Sequence, residues 1–233
     1  MHEKHRDRVR KRFLMEDIDN FEPHQVLELI LFYSIPRKDT NEIAHRLVEK
    51  FGGFSQVLDA PIEELEKVEG VGHQSAVLIK LFRSSYRYYQ VEITSTKNEM
   101  LNTEQCGKYL MARMNGKKNE EVYLLCLDGR RKLINCVKID EGSVRAVVLS
   151  NDKVLRTAIT NNAASVILAH NHPGAFAVPS GEDVDVTKHL AKILMSAGVC
   201  LLDHIVVSDT EYVSLVASGL YHPEEYGVHI VRR

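Results

Sequence analysis

The feature that most restricts the fold is an apolar run followed at once by two histidines. Val166 to Ala169 is an uninterrupted apolar segment, which is typical of a strand covered on both faces. It leads directly into His170-Asn171-His172-Pro173. Residues two apart on a strand point to the same face, so we expect the two imidazoles to project together. The pattern predicts a buried central strand that ends in a pair of metal-ligand side chains.

A hydroxyl and a carboxylate follow at a short distance along the chain. Ser180 is typical of a helix N-cap, and Asp183 falls in the first turn of the helix expected at Val184 to Ala197. Two histidines and one carboxylate leave a fourth position for water, which is the arrangement of a catalytic zinc site. Each element also has an ordinary explanation, since loop histidines, a cap serine and an acidic first helical turn are common.

The ordered set resembles a known motif. His170-x-His172-Pro173 followed by Ser180-x-x-Asp183 matches the JAMM (MPN+) metalloprotease motif. The flanking residues Ile167 to Gly174, with Leu202-Asp203-His204-Ile205, resemble bacterial RadC-like proteins, which have a JAB/MPN domain. The resemblance implies that His170, His172 and Asp183 bind Zn²⁺. It also implies that Ser180 helps to hold the zinc-bound water and to stabilise the oxyanion.

The same family uses a glutamate before the first core strand as general base. Glu121 immediately precedes the apolar run Val122 to Leu127 and is our assignment. The adjacent Glu120 points to the opposite face, so only one of the two reaches the zinc. His204 is either a neighbour of the zinc ligands or a core histidine.

The chemistry suits these residue types. Zinc lowers the pKa of bound water to about 7, and a nearby carboxylate takes the water's proton. The resulting expectation is a JAMM-type zinc metallohydrolase, a peptidase or isopeptidase that cleaves an amide bond of a protein or peptide substrate.

The first ninety residues have apolar positions at helical spacing and predict an all-α domain. Leu65-x-x-Val68-x-Gly70-Val71-Gly72 resembles a helix-hairpin-helix motif, whose second helix presents backbone N–H groups to a phosphate. The alternative function is therefore a DNA repair or recombination factor. Its expected DNA contacts are Gly70, Gly72, Lys80, Arg83 and Arg87. The net charge of -2 and the acidic residues before the hairpin argue against strong DNA binding.

The expected fold class is an N-terminal all-α helix-hairpin-helix domain plus a C-terminal α/β domain, of the JAB/MPN, cytidine-deaminase-like type, with a mixed sheet flanked by helices. The expected bounds are 1–91 for the helical domain, 92–100 for a linker, 101–227 for the zinc hydrolase domain and 228–233 for a tail. A strand is expected at Ser143 to Leu149, and a closing helix at Val213 to Ser218.

The cysteines and the length of the apolar runs predict the compartment of the protein. The four cysteines form no CxxC pair, so we expect reduced, buried thiols rather than disulfides or metal ligands. No apolar run approaches the roughly 20 residues of a membrane span. We therefore expect a cytoplasmic protein without a membrane partner.

Overall fold

The computed structural model describes residues 2–95, 102–142 and 150–227. The chain divides into two compact units, one ending at Tyr88 and the other beginning at Tyr89. None of the helices in the described ranges is long and apolar enough to cross a membrane.

The first unit is helical, as expected. Its helices are α1 (His2–Glu16), α2 (Pro23–Leu31), α3 (Asn41–Phe51), α4 (Phe54–Asp59), α5 (Ile62–Glu66) and α6 (His73–Ser95), of which α6 runs on past Tyr88. Leucines of α2, α3 and α5 meet in one core, in which Leu27, Leu31, Leu47 and Leu65 are fully buried. The amphipathic spacing seen in the sequence is therefore explained by packing of helices α2 to α6 against this core.

The turn between α5 and α6 depends on one glycine. Gly70 has a φ of +92°, and a Cβ atom there would lie 2.7 Å from Cδ1 of Ile43 on α3. Both the backbone conformation and the close approach disfavour a larger residue. Gly72, two residues later, has an ordinary φ and open space around its Cα.

The second unit contains a five-stranded mixed sheet with the order β2-β1-β3-β4-β5. The strands are β1 (Glu121–Leu127), β2 (Leu133–Glu141), β3 (Ser165–Asn171), β4 (Cys200–Val207) and β5 (Tyr212–Ser214). β1 is antiparallel to β2 and β3, β3 is parallel to β4, and β5 is antiparallel to β4. Asp128 closes the β1–β2 turn, because its carboxylate accepts hydrogen bonds from the backbone of Arg130 and Lys132. The expected α/β character of this part of the chain, with a mixed sheet flanked by helices, is confirmed.

Helices cover both faces of this sheet and create two cores. Helices α8 (Asn151–Thr160) and α9 (Gly181–Ser196) pack on the face that displays Val122, Leu124 and Leu168. Helix α7 (Thr103–Met114) packs on the face that displays Tyr123, Leu125, Ile167 and Ala169. Adjacent residues of the central strands therefore belong to different cores, and this alternation decides which side chains reach the site.

Three expectations about secondary structure differ from the structure or fall outside it. The closing helix expected at Val213 to Ser218 is wrong: Tyr212–Ser214 pairs with β4 as a short strand, and a turn follows. Residues 92–95 of the expected linker belong to α6, and residues 96–100 lie outside the described ranges. The strand expected at Ser143 to Leu149 also lies outside them.

Candidate metal centre

Three side chains converge at the carboxyl end of β3. The Nε2 atom of His170 lies 3.1 Å from Nε2 of His172 and 3.6 Å from Oδ1 of Asp183. The ligand atoms of all three residues lie within 4.8 Å of one another. In the described part of the chain, this is the one group of three or more His, Cys, Asp or Glu side chains close enough to share an ion.

The donor set fits zinc. Zinc–nitrogen and zinc–oxygen bonds of about 2.0–2.2 Å in a tetrahedral site place ligand atoms about 3.3–3.6 Å apart. The distances of 3.1 and 3.6 Å from Nε2 of His170 lie close to this range. His170 and Asp183 are buried, whereas His172 is partly exposed, so solvent reaches the site on the side of His172.

Strand geometry and one amide side chain place the two histidines. His172 follows the end of β3, and its backbone N–H donates to the carbonyl of Val207 at 2.7 Å. Asn171 points to the other face, where its Oδ1 accepts from the backbone N–H of Glu121 at 2.7 Å. Its Nδ2 donates to the carbonyl of Asn119 at 3.1 Å. Asn171 thus ties the start of β1 to the end of β3.

Asp183 is held at the start of α9 by Ser180. The Oδ2 atom of Asp183 accepts from both the backbone N–H and the hydroxyl of Ser180, each at 2.7 Å. Ser180 Oγ in turn accepts from the backbone N–H of Asp183 at 3.2 Å, as an N-cap does. One carboxylate oxygen is therefore committed to Ser180, and the other faces the two histidines.

Burial keeps the imidazoles of His170 and His204 neutral, and the neutral imidazole is the form that ligates metals. Burial, partly offset by Asp183, lowers the pKa of His170 to about 4. Burial and the neighbouring His170 lower the pKa of His204 to about 3. For Asp183, burial alone would raise the pKa, but His170 and Ser180 lower it overall, so its carboxylate is ionised at neutral pH.

The structure places Glu121 on the sheet face opposite to His170. Its Oε2 accepts from the hydroxyl of Tyr123 at 2.7 Å, and its Oε1 accepts from Nζ of Lys138 at 2.8 Å. Lys117 also contacts this carboxylate. Burial by itself would raise the pKa of Glu121, but these three hydrogen bonds together lower it. The structure brings the three expected ligands and Ser180 together, but it does not place the Glu121 carboxylate among them.

Two further residues of this site were missed or left open by sequence reasoning. Nε2 of His204, on β4, lies 2.8 Å from Nδ1 of His170. Thr187, one turn after Asp183 on α9, lies 2.6 Å from Nδ1 of His204 through its hydroxyl. The available signal for His204 was the polar pair Asp203-His204 within a strand whose other residues are apolar. Thr187 has no comparable signal, because a threonine on a helix is ordinary.

Two of the residues expected to contact DNA, Lys80 and Arg83, have local partners in the first unit. Nζ of Lys80 donates to the carbonyl of Leu58 at 2.7 Å. Nε of Arg83 donates to Oδ1 of Asp59 at 2.7 Å. Both cations thus bind the C-terminal end of α4, where positive charge is favoured. Arg87 is half-buried, and Gly72 directly precedes α6.

Comparisons with known proteins show the family of this chain. Residues 100–220 match the RadC-like JAB domain. A UPF0758 protein of Fusobacterium nucleatum is 32% identical over 223 residues, which cover 93% of this chain and 96% of that protein. A UPF0758 protein of Ruegeria pomeroyi is 31% identical over 221 residues, covering 92% and 96% of the two chains. One of Geobacillus sp. is 32% identical over 220 residues, covering 91% and 94%. The chain therefore belongs to the RadC-like JAB-domain family.

Proposed function

We propose that the second unit is a zinc-dependent hydrolase of the JAMM type that cleaves amide bonds in a protein or peptide substrate. The observation that supports it best is the convergence of Nε2 of His170, Nε2 of His172 and Oδ1 of Asp183 at a strand end. Three protein ligands with one partly exposed edge are typical of a catalytic rather than a structural zinc site.

A bound zinc ion would supply a Lewis acid and lower the pKa of a water molecule to about 7. The residues of the protein supply the ligand atoms and the group that orients one of them. His170 and His172 offer nitrogen donors, and Asp183 offers one carboxylate oxygen. Ser180 orients that carboxylate by binding its second oxygen. The role of Ser180 in stabilising an oxyanion stays a prediction, supported by its position at a helix N-terminus.

For the general base, the family resemblance and the geometry of the sheet indicate different residues. Resemblance assigns the base to Glu121, whose carboxylate is bound by Lys138 and Tyr123 on the far face of the sheet. We retain Glu121 as the base. To act in this way, its carboxylate has to leave these partners and turn around the start of β1. Glu120 is the alternative, because alternation from Val122 places it on the same face as His170.

The metal site is tested by zinc content and by cleavage together. We expect metal-depleted protein to take up one zinc per chain, measured by mass spectrometry of the metal after gel filtration. Asp183→Asn should lose this zinc, whereas Asp185→Asn, at an exposed position on the same helix, should retain it. Zinc-loaded protein should cleave members of a panel of peptides and isopeptide-linked conjugates, and a chelator should abolish the cleavage. A fully zinc-loaded protein that cleaves no amide bond would overturn the proposed hydrolase.

DNA repair or recombination remains the second candidate function. It is supported by the α5–α6 hairpin and by the open space around Gly72, which would let a phosphate approach the start of α6. The contacts of Lys80 and Arg83 with α4 weigh against it, because Lys80 already donates to a carbonyl and Arg83 already pairs with a carboxylate. Zinc content and cleavage do not depend on this second candidate.

A further inference from the structure

His204 lies at the centre of a chain of buried polar groups behind the metal centre. Its side chain is fully buried on β4, beside β3, and Thr187 on α9 is fully buried as well. This hydrogen-bond chain runs from Nδ1 of His170 to Nε2 of His204 over 2.8 Å. It continues from Nδ1 of His204 to Oγ1 of Thr187 over 2.6 Å, and from there to the carbonyl of Asp183 over 2.5 Å. It therefore begins at one expected zinc ligand and ends on the backbone of another.

The hydrogen bonds that link these buried groups allow one arrangement of their protons. The carbonyl of Asp183 only accepts, so the short contact with Thr187 requires the hydroxyl proton to lie between these two oxygens. Thr187 Oγ1 must then accept from His204, which places the proton of the neutral His204 on Nδ1. Nε2 of His204 is left as an acceptor, and Nδ1 of His170 donates to it. A neutral imidazole carries one ring proton, so Nε2 of His170 keeps its lone pair.

We propose that Thr187 and His204 are positioning residues that select the metal-binding tautomer of His170 and fix the direction of its ring. This inference rests on the metal site of the proposed function. The lone pair of His170 is directed at the point where His172 and Asp183 converge. Because this hydrogen-bond chain ends on the backbone carbonyl of Asp183, it also connects the His170 ring on β3 to the start of α9. Partners of this kind typically change metal affinity by about 10- to 100-fold.

Thr187→Val is the informative variant, because valine has the same shape and lacks the hydroxyl. It removes the hydroxyl that accepts the proton on Nδ1 of His204, so the selection of the tautomers of His204 and His170 weakens. Thr187→Ser restores the hydroxyl. Thr94→Val is the matched control, because Thr94 also donates to a carbonyl four residues earlier in its helix, at 2.7 Å from Gln90.

Zinc affinity is measured by competition with a chromophoric chelator, at a temperature where unfolding curves show every variant to be folded. We expect Thr187→Val to bind zinc about 10- to 100-fold more weakly than the parent protein. Thr187→Ser and Thr94→Val should stay within a few-fold of the parent. Parental zinc affinity in Thr187→Val, with only a lower melting temperature, would overturn the proposal and leave Thr187 a structural residue.

The tautomer is measured separately on metal-free protein by ¹⁵N NMR of the histidine rings. In the parent protein we expect His170 and His204 each to carry the proton on Nδ1. In Thr187→Val we expect a mixture of tautomers for both rings. A proton on Nε2 of His170 in the parent would contradict the proposal, whatever the metal result. A protein that shows the expected tautomers and binds zinc but cleaves nothing would overturn the hydrolase and leave this inference standing.

Discussion

Val122 pairs directly with His170 across strands β1 and β3, so these two side chains share one face of the sheet. The residue before Val122, Glu121, consequently starts on the other face, and its contacts with Tyr123 and Lys138 agree with that position. The register of one strand pair therefore separates the expected general base from the expected metal ligands. Because the two adjacent glutamates lie on different faces, substituting each in turn shows which one is the base.

Glu121→Gln and Glu120→Gln form the test of the general base. If the carboxylate of Glu121 turns to the site in the enzyme–substrate complex, Glu121→Gln should lower kcat about 100- to 10,000-fold without loss of zinc. Glu120→Gln should then have nearly parental activity. The measurement is steady-state cleavage of whichever panel substrate the zinc-loaded parent cleaves, with zinc content determined on the same samples. The reverse result would assign the base to Glu120, as the sheet register favours.

Gly70→Ala and Gly72→Ala should differ strongly in their effect on stability. Alanine at position 70 would have to adopt a φ of +92° and would approach Ile43 too closely, so we expect a loss of about 1–3 kcal/mol in the free energy of unfolding. Alanine at position 72 meets neither restriction, and the expected loss is less than about 1 kcal/mol. Urea unfolding followed by circular dichroism measures both values. Equal losses would mean that the turn before α6 does not depend on the conformation of Gly70.

Asp203 should make stability depend on pH in the mildly acidic range. Burial raises its pKa to about 6 from an ordinary 3.8, although Ser214 and two backbone N–H groups partly offset this effect. An acid with a raised pKa in the folded state contributes stability that is fully present below pH 3.8 and is lost as the pH rises through about 6. The contribution is on the order of 3 kcal/mol.

Asp203→Asn isolates this contribution, because asparagine does not titrate. The free energy of unfolding should be measured by urea at several pH values between 4 and 7, in metal-free parent and variant. We expect the parent to gain stability relative to Asp203→Asn as the pH falls from about 6 to about 4. Titration of the histidines affects both proteins alike and cancels in the difference. A difference that does not change with pH would show that Asp203 is not destabilised in its charged form.

The second candidate function predicts salt-sensitive DNA binding by the intact chain. Because Lys80 and Arg83 are bound to the end of α4, we expect little binding through them. Fluorescence anisotropy with labelled branched and single-stranded DNA at 50 and 200 mM salt would measure it. A dissociation constant that rises steeply between these salt concentrations, and a further loss in Gly72→Ala, would instead support the repair function.

The sequence by itself determined the elements of the candidate metal centre that lie close together along the chain. Strand alternation puts His170 and His172 on one side, and the N-cap pattern of Ser180 puts Asp183 in a first helical turn. These positions follow from local periodicity and helix-end chemistry, which operate over a few residues. The spacing of these residues therefore predicted which side chains could share an ion.

Only the tertiary structure decided the contacts between distant segments. The face of Glu121 depends on the register of β1 against β3, and the place of His204 depends on β4 lying beside β3. The strand at Tyr212–Ser214 exists because β4 offers it an edge to pair with. Strand pairing is set by the packing of whole layers, and a shift of one residue exchanges the two faces. Local pattern contains no information on that choice, so the candidate ligands could be read from the sequence, whereas the buried groups that contact them could not.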